Sequence, residues 1–258
     1  MTPGAARKGA TRAADIPADV LQALSRGEMQ SATLAEGLAI DQAQLMRAVF
    51  PALSSRALQA VDAACELGVL KRMARMGELL LDELGDAGIA HCRGHRADTV
   101  RGWACFMIGA QPGMDVAARL AAIRPLADDA HFGVREWAWM AVRPHLGLEL
   151  EVSIEHLARW TKEPSERLRR FASEALRPRG VWCAHIAALK HSPEQALPIL
   201  SPLSADPSAY VQDSVANWLN DAAKDQPAWV RNTCAQWLQA APLDATRRIC
   251  QRGLRNLK

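Results

Sequence analysis

The chain has 258 residues, of which 49% are hydrophobic and 23% are charged, and its formal net charge at pH 7 is +3. This composition is typical of a soluble globular protein with a large core, and the small charge does not by itself identify a nucleic-acid partner. No apolar run reaches the roughly 18 residues of a membrane span, and Met1 to Ile16 lack the apolar segment of a secretory signal.

Helical patterns fill most of the chain. Residues 1–15 are small and polar with a few cations, and we predict that they form a flexible basic arm. Amphipathic segments begin near Pro17, run from 31 to 46, and run again from about 53 to 84, before a turn-rich break over 85–98. No segment shows the period-two alternation of a strand, so we predict an all-α protein.

One helical pattern recurs after this break. Its first apolar residue, here called the opener, is Val100, then Val134 and Leu168, at intervals of 34 residues, and Val211 follows after a longer interval. Small or apolar residues stand three, four, seven and eight positions after each opener, which predicts a helix with one buried stripe. A fixed period of this length indicates an α-solenoid, and we predict a single domain over 16–258.

The chemistry at the repeat boundaries is also regular. An acid precedes several openers by five residues, a proline follows the acid closely, and an arginine usually follows the opener, as in Arg101, Arg135 and Arg169. Acid or serine caps with proline in the first turn start helices well. The pattern is similar to HEAT-type repeats. Val230 predicts a further helix of a hairpin.

Three carboxylates leave the predicted stripe on one side. At about 100° per residue the stripe spans roughly 300° through 0° to 80°, whereas Glu136 falls near 200°, Glu174 near 240° and Asp221 near 280°. If this side is the inner wall of a curved stack, the three acids line a concave groove. Pairing with neighbouring arginines in structural ladders is the alternative for each acid.

Two regions are basic. Residues 161–182 hold six cations against three acids, and five cations but no acid follow Asp244. Such patches suit a phosphate backbone, although they could equally be a solvated face. The candidate contacts to a nucleic acid come from the arm, from residues 161–182 and from aromatic and basic positions of the other repeat helices: Lys8, Trp139, Arg170, Arg177, Arg179, Tyr210, Trp218 and Lys224.

The tryptophans differ in their predicted roles. Trp137 and Trp218 belong to the stripe, where core packing is the alternative to function, whereas Trp139 lies near 140°, off the stripe. Trp182 stands in an Arg-Pro-Arg-Gly loop where no packing rule requires it. There, an exposed indole can cover a sugar face or stack near a base.

Acids beside phosphate-binding cations are electrostatically costly unless they meet positive charge. An oxocarbenium-like sugar, formed as an N-glycosidic bond breaks, supplies that charge, and so does a cationic methylated base. We therefore interpret the cations as holding an anionic polymer and the acids as facing a cation that forms within it.

The cysteines and histidines carry little further signal. Six cysteines with no CxxC pair indicate buried small residues in a reducing cytosol. His91, Cys92 and His95 could be half of a zinc site, but the paired ligands are missing. We predict no metal and no cofactor.

Three blocks of sequence carry a resemblance to a known family: HFGVREWAW from His131, FASEALRPRGVW from Phe171, and SVANWLNDAAK from Ser214. They resemble the HEAT-like-repeat DNA alkylation-repair glycosylases, and most closely the AlkC branch of the AlkC/AlkD superfamily. The similarity runs over nearly the whole chain. Some members carry an immunoglobulin-like domain after the solenoid, and we expect this chain to lack it.

The resemblance implies monofunctional removal of cationic N-alkylated bases, such as 3-methyladenine and 3-methylcytosine, from double-stranded DNA. It also implies that the base is not flipped into a deep pocket. Glu174, Asp221 and Trp182 match the family's catalytic positions, and Glu136 is the third acid. We expect a monomer that acts in the bacterial cytosol, at the nucleoid. The alternative is a non-catalytic HEAT-like module that binds damaged or branched DNA or a protein partner.

Overall fold

The computed structural model describes residues 7–257, and within that range it contains helices and loops but no β-strand. The all-α prediction is confirmed. The chain divides into two compact units, Met1–Gly113 with Asp129–Ala141 and Met114–Asp128 with Val142–Lys258. The single domain over 16–258 and its concave groove stay predictions.

The first unit is built from six helices and the start of a seventh. These are α1 (Ala18–Ser25), α2 (Leu34–Ala39), α3 (Gln42–Val49), α4 (Ser55–Cys65), α5 (Val69–Arg93), α6 (Asp98–Ala110) and the first part of α8 (Phe132–Leu148). The long α5 packs against α6 along its length. Gly77 permits this approach, because a Cβ there would lie 2.5 Å from Cβ of Phe106.

The second unit holds the end of α8 and the remaining helices. These are α7 (Val116–Ala127), α9 (Leu150–Trp160), α10 (Glu166–Glu174), α11 (Ala187–His191), α12 (Leu197–Leu200), α13 (Ala209–Ala222), α14 (Pro227–Ala240) and α15 (Asp244–Gly253). Within this unit α13 packs against both α10 and α15. The helix predicted from Val230 is confirmed as α14.

The four openers lie at the same place in their helices. Val100, Val134, Leu168 and Val211 each stand two residues after the first residue of α6, α8, α10 and α13, and all four are buried. Ser165 caps α10 through its side chain, and Ser208 caps α13. The repeat pattern is therefore confirmed at the level of its helices.

The arginine that follows an opener has a structural role. Arg169 Nη1 donates to the carbonyl oxygens of Glu163 (3.0 Å) and Pro164 (2.8 Å), while its other nitrogens bind Asp206. Arg101 does the same with the carbonyls of residues 95 and 96 and with Asp129. These arginines connect the loop before one repeat helix to the acid that precedes the next repeat helix. Arg169 is therefore paired inside the protein with Asp206 and is not part of an open basic patch.

The predicted break over 85–98 is shorter than expected. Helix α5 continues to Arg93, and its irregularity is a kink at Gly85, whose φ of +57° lies in a region that glycine adopts without strain. The residues after Gly85 are helical again, and Gly88 and Cys92 among them are buried.

Part of the predicted arm is attached to α2. Residues 1–6 lie outside the described range, but Arg7 donates from both terminal nitrogens to the carboxylate of Glu36. The Glu36 oxygens also accept from the backbone N–H groups of Ala10 and Ala32. Lys8, the arm residue expected to contact DNA, is exposed.

This arrangement makes the stability dependent on acid pH. The hydrogen bonds from Arg7 lower the pKa of the fully buried Glu36 from 4.5 to about 2, with further help from the two backbone donors and against the effect of burial. Because the folded-state pKa is depressed, this contribution is complete above about pH 4.5 and is lost as the pH falls towards 2. A shift of this size corresponds to roughly 3 kcal/mol.

We therefore expect Glu36→Gln to lower the free energy of unfolding at pH 7 by roughly 2–3 kcal/mol and to weaken its dependence on pH below 4.5. Urea unfolding at several pH values measures both effects. Glu78→Gln is the matched control, because Glu78 belongs to an exposed pair with Arg75 and should change stability by less than about 0.5 kcal/mol. Equal losses in the two variants would contradict the prediction.

None of the helices in the described range has the length and apolarity needed to cross a membrane.

All six cysteines have free thiols, and four of them are buried. Burial raises the pKa of the Cys92 thiol to about 12.

Candidate active site

Two carboxylates of the second unit meet where α10 and α13 pack together. Glu174 is the last residue of α10, and Asp221 lies one residue before the end of α13. Both side chains are buried, at 4% and 7% exposure. Their positions follow from the repeat, because each lies at the carboxyl end of a helix whose apolar stripe packs inward.

Arg177 joins these two acids. Its Nη1 donates to Glu174 Oε1 (2.7 Å), and its Nε and Nη2 lie 2.9 and 2.8 Å from Asp221 Oδ2. We call Glu174, Arg177 and Asp221 the carboxylate cluster. One guanidinium between two buried carboxylates leaves the cluster with a net negative charge before its neighbours are counted.

Glu174 is held as an anion by its surroundings. Its Oε2 accepts from Ser214 Oγ (2.6 Å) and lies 3.7 Å from Arg170 Nη2. Burial would raise its pKa, but the charges of Arg170 and Arg177 and the hydrogen bonds from Ser214 and Arg177 outweigh it, so the pKa is lowered. Both oxygens are therefore committed to partners inside the protein.

Asp221 keeps one oxygen that is less committed. Whereas Oδ2 receives both nitrogens of Arg177, Oδ1 faces Lys224 Nζ at 3.5 Å, the limit of a hydrogen bond. The Lys224 side chain is 48% exposed, so it can move away at little cost. Of the four carboxylate oxygens in the cluster, Asp221 Oδ1 is the best placed to meet a ligand.

Trp182 stands in a loop whose backbone is hydrogen-bonded to a buried arginine. Residues 178–185, here called the tryptophan loop, follow Arg177 directly. The side chain of Trp182 is 49% exposed, and its φ of +61° is in the left-handed region, which is strained for a bulky residue. Val181 beside it is also 49% exposed. Strain at an exposed aromatic residue indicates a conformation maintained by the surrounding structure.

Arg143 supplies that support. This buried arginine of α8 donates to the carbonyl oxygens of Ala175 (2.8 Å), Arg177 (2.6 Å) and Ala184 (3.1 Å). Burial lowers the pKa of its guanidinium. Gly180 lies directly over it, since a Cβ there would stand 3.0 Å from Arg143 Cζ. The guanidinium thus donates hydrogen bonds to backbone carbonyls at both ends of the tryptophan loop.

We expect Arg143→Met to release the tryptophan loop, because each buried carbonyl that loses its donor costs about 1–3 kcal/mol. Trypsin can cleave after Arg179 only when this loop opens, so cleavage there should accelerate at least about 10-fold under native conditions. Arg119→Met is the control, because Arg119 is another buried arginine of the second unit. If both variants or neither were cleaved faster at Arg179, the role assigned to Arg143 would be wrong.

The other predicted site residues are distributed as follows. Arg170 stacks on the ring of Tyr210, with its Cζ 4.5 Å from the ring centroid. Arg179 pairs with Asp225 at 2.9 Å. Arg170, Arg177 and Arg179 each face a carboxylate, as in the structural alternative, and their predicted contacts to DNA stay predictions.

Two of the tryptophans predicted to contact DNA are buried. Trp139 and Trp218 are each 1% exposed, and the Nε1 of Trp218 donates to the carbonyl of Leu176. Trp139 was expected to leave the stripe, whereas Trp137 is the more exposed of the pair. The reason is that all residues of α8 from 138 to 143 are buried, so a single stripe does not describe this helix.

Glu136 lies in the first unit, where its Oε2 accepts a hydrogen bond from Trp139 Nε1 at 2.9 Å. Its predicted catalytic role stays a prediction. Ser214 and Arg143 were missed by the sequence analysis. Ser214 was assigned to the buried stripe, and no local pattern predicts its hydrogen bond to Glu174, which lies 40 residues away in the sequence.

Within residues 7–257 no group of three or more histidine, cysteine, aspartate or glutamate side chains is arranged to hold a metal ion. The rings of His91 and His95 lie 6.2 Å apart, and Cys92 is buried.

Comparison with solved structures finds the same helical fold in several proteins. The structure of smu.31 from Streptococcus mutans UA159 has a TM-score of 0.58 at 18% identity, covering 93% of this chain and 100% of that one. AlkD2 from Streptococcus mutans has a TM-score of 0.54 at 18% identity, covering 84% and 98%. These two similarities concern the fold.

A third similar structure is that of an AlkC protein. The Pseudomonas fluorescens alkylpurine DNA glycosylase AlkC, solved bound to DNA containing an abasic site analog, has a TM-score of 0.68 at 26% identity and covers 96% of this chain. This chain spans 65% of that AlkC chain. The resemblance to AlkC/AlkD glycosylases inferred from sequence blocks is confirmed.

A sequence relative comes from Bacillus subtilis (strain 168). Its uncharacterized protein YhaZ is 50% identical over 84 residues, which is 33% of this chain and 24% of YhaZ. No family model matches the chain.

Proposed function

We propose that this protein is a DNA glycosylase that hydrolyses the N-glycosidic bond of cationic N-alkylated bases in double-stranded DNA, with 3-methyladenine and 3-methylcytosine as substrates. The observation that carries the proposal is the carboxylate cluster, in which Arg177 joins two buried acids, together with the loop directly after Arg177 that exposes Trp182 in a strained conformation. The similarity to AlkC over 96% of the chain supports it.

The chemistry follows from the charges. An alkylated base of this kind is already a cation, so it can leave as a neutral base without a proton from the enzyme. The positive charge then moves to the deoxyribose as the bond breaks. Anions fixed in a site of low polarity stabilise that charge more strongly in the transition state than in the substrate.

Each residue has a proposed part in this reaction. Asp221 Oδ1 faces the sugar cation, holds the attacking water and accepts its proton as the water oxygen bonds to C1′. Glu174 adds a second negative charge, and Arg177 aligns both acids. Trp182 covers the apolar face of the sugar. Glu136 is proposed as a third acid.

DNA contacts are proposed for the exposed cations Lys8 and Lys224. Because Arg170 and Arg177 already face acids of the carboxylate cluster, their first proposed role is to position those acids, whereas Arg179 pairs with Asp225. We propose that the enzyme is monofunctional, acts as a monomer on DNA in the cytoplasm, and leaves the alkylated base outside any deep pocket, as in the family that it resembles.

The test is release of the base from a duplex oligonucleotide that contains one N3-methylated base, detected as strand cleavage after alkali. We expect cleavage at the lesion and none in an unmodified duplex. Binding to the same duplex is measured in parallel. Tight binding without release of any of several alkylated bases would contradict the glycosylase and favour a non-catalytic module that binds DNA.

A further inference from the structure

The last helix, α15, is a repeat helix in the same register as the others. In α6, α8 and α10 the arginine after the opener donates from Nη1 to the carbonyl oxygen five residues earlier, as Arg101, Arg135 and Arg169 do. Arg247 Nη1 makes the same hydrogen bond to the carbonyl of Pro242. The opener of α15 is then the fully buried Thr246, two residues after the start of the helix, as in the other four.

This register places three arginines on the face that carries the site. The positions two, six and nine after the opener hold Arg170, Glu174 and Arg177 in the segment of α10. In the segment of α15 the same positions hold Arg248, Arg252 and Arg255. Because α13 packs against both helices, the two sets flank the helix that carries Asp221. We call Arg248, Arg252 and Arg255 the arginine rim.

The arginine rim is not neutralised by its neighbours. Arg248 Nη2 and Arg252 Nε share one oxygen, Asp213 Oδ1, at 2.7 and 3.1 Å. Arg255 Nη2 donates to the neutral Asn217 Oδ1 at 3.0 Å, and no carboxylate of residues 7–257 pairs with it. Two of the three guanidiniums therefore share one carboxylate and the third contacts a neutral amide, in contrast to the carboxylate cluster, where one guanidinium joins two acids.

We propose that the arginine rim binds phosphate groups of the DNA backbone next to the residue under attack, which rests on the proposed function for the identity of the polymer. Guanidinium groups pair with phosphate oxygens in a bidentate geometry, and the side chains of Arg248 and Arg252 are 37% and 45% exposed. The rim supplies the attraction that Arg170, Arg177 and Arg179 cannot, because those arginines are committed to acids. The rim binds the phosphates of the strand while the carboxylate cluster contacts the sugar.

The experiment compares Arg252→Gln/Arg255→Gln with wild type and with Arg75→Gln/Arg159→Gln. The control removes the same charge from exposed arginines on other helices. Arg248 is retained so that Asp213 keeps a partner and the fold is preserved, which thermal unfolding checks. Binding is measured for a duplex with an abasic-site analogue and for an undamaged duplex over a range of salt concentrations, and base release yields kcat and KM.

The rim variant is expected to bind both duplexes at least about 10-fold more weakly, with a salt dependence shallower by about two phosphate contacts. Its KM should rise while kcat stays within about twofold, because the arginines do not touch the reacting atoms. The control should keep the wild-type salt dependence.

Two results would contradict the role of the arginine rim while leaving the proposed function intact. In the first, the wild-type protein releases the base but the rim variant keeps the wild-type salt dependence and KM. In the second, the control variant loses as much affinity as the rim variant. If wild type binds duplex DNA without releasing a base, the proposed function fails, and the salt dependence alone still decides for or against the rim. If wild type binds no duplex DNA, both proposals are wrong.

Discussion

Replacing Asp221 by asparagine is expected to slow release of an N3-methylated base at least about 100-fold, while binding to the same DNA changes little. Asparagine keeps the shape of the side chain but removes the charge that the proposed mechanism places against the sugar cation. The loss should therefore appear in kcat, measured by single-turnover cleavage after alkali. Glu174 still pairs with Arg177, so the variant is expected to fold.

The matched control for this prediction is Asp225→Asn. Asp225 also pairs with an arginine, Arg179, and lies only four residues after Asp221, but it does not belong to the carboxylate cluster. Its rate should stay within a few fold of wild type. A full-speed Asp221→Asn variant would remove Asp221 from the mechanism, and equal losses in both variants would show that the effect is not specific to the site.

Replacing Arg177 by methionine should lower the free energy of unfolding at pH 7 by roughly 3–5 kcal/mol, with a fall in Tm on the order of 10 °C. The reason is that Glu174 and Asp221 would remain buried without the guanidinium between them. Urea unfolding at pH 7 measures the loss. Arg159→Met is the control, since its pair with Glu155 is about two-thirds exposed and should contribute less than about 1 kcal/mol.

The pH dependence separates this explanation from simple loss of packing. In wild type the pKa of Glu174 is lowered from 4.5, so its contribution is complete above that pH and is lost as the pH falls through the folded-state pKa. Without Arg177, burial should raise that pKa, and protonation would then relieve the penalty. The difference between wild type and Arg177→Met should thus shrink in acid, whereas a constant difference would indicate a packing defect.

The helices of the repeats could be predicted because their signals are local. An apolar stripe and a capping residue act within a few turns of one helix, and the openers Val100, Val134, Leu168 and Val211 all lie two residues after the first residue of their helices. The same locality explains the failures. A single stripe did not reveal that Trp139 is buried on the other side of α8, and the spacing did not show that α15, whose opener is a threonine, continues the repeat.

For the candidate site, the sequence alone determined which chemical groups are present: acids near the ends of repeat helices, arginines beside them, and a tryptophan in a loop where packing does not require one. Only the tertiary structure decided which of them pair. Arg177 reaches Asp221 across 44 residues and Arg143 reaches Ala184 across 41, and such partners are chosen by the packing of whole helices. A charge pattern cannot distinguish an arginine that binds phosphate from one that holds a carboxylate, because both need the same residue and differ only in what the fold brings within hydrogen-bonding distance.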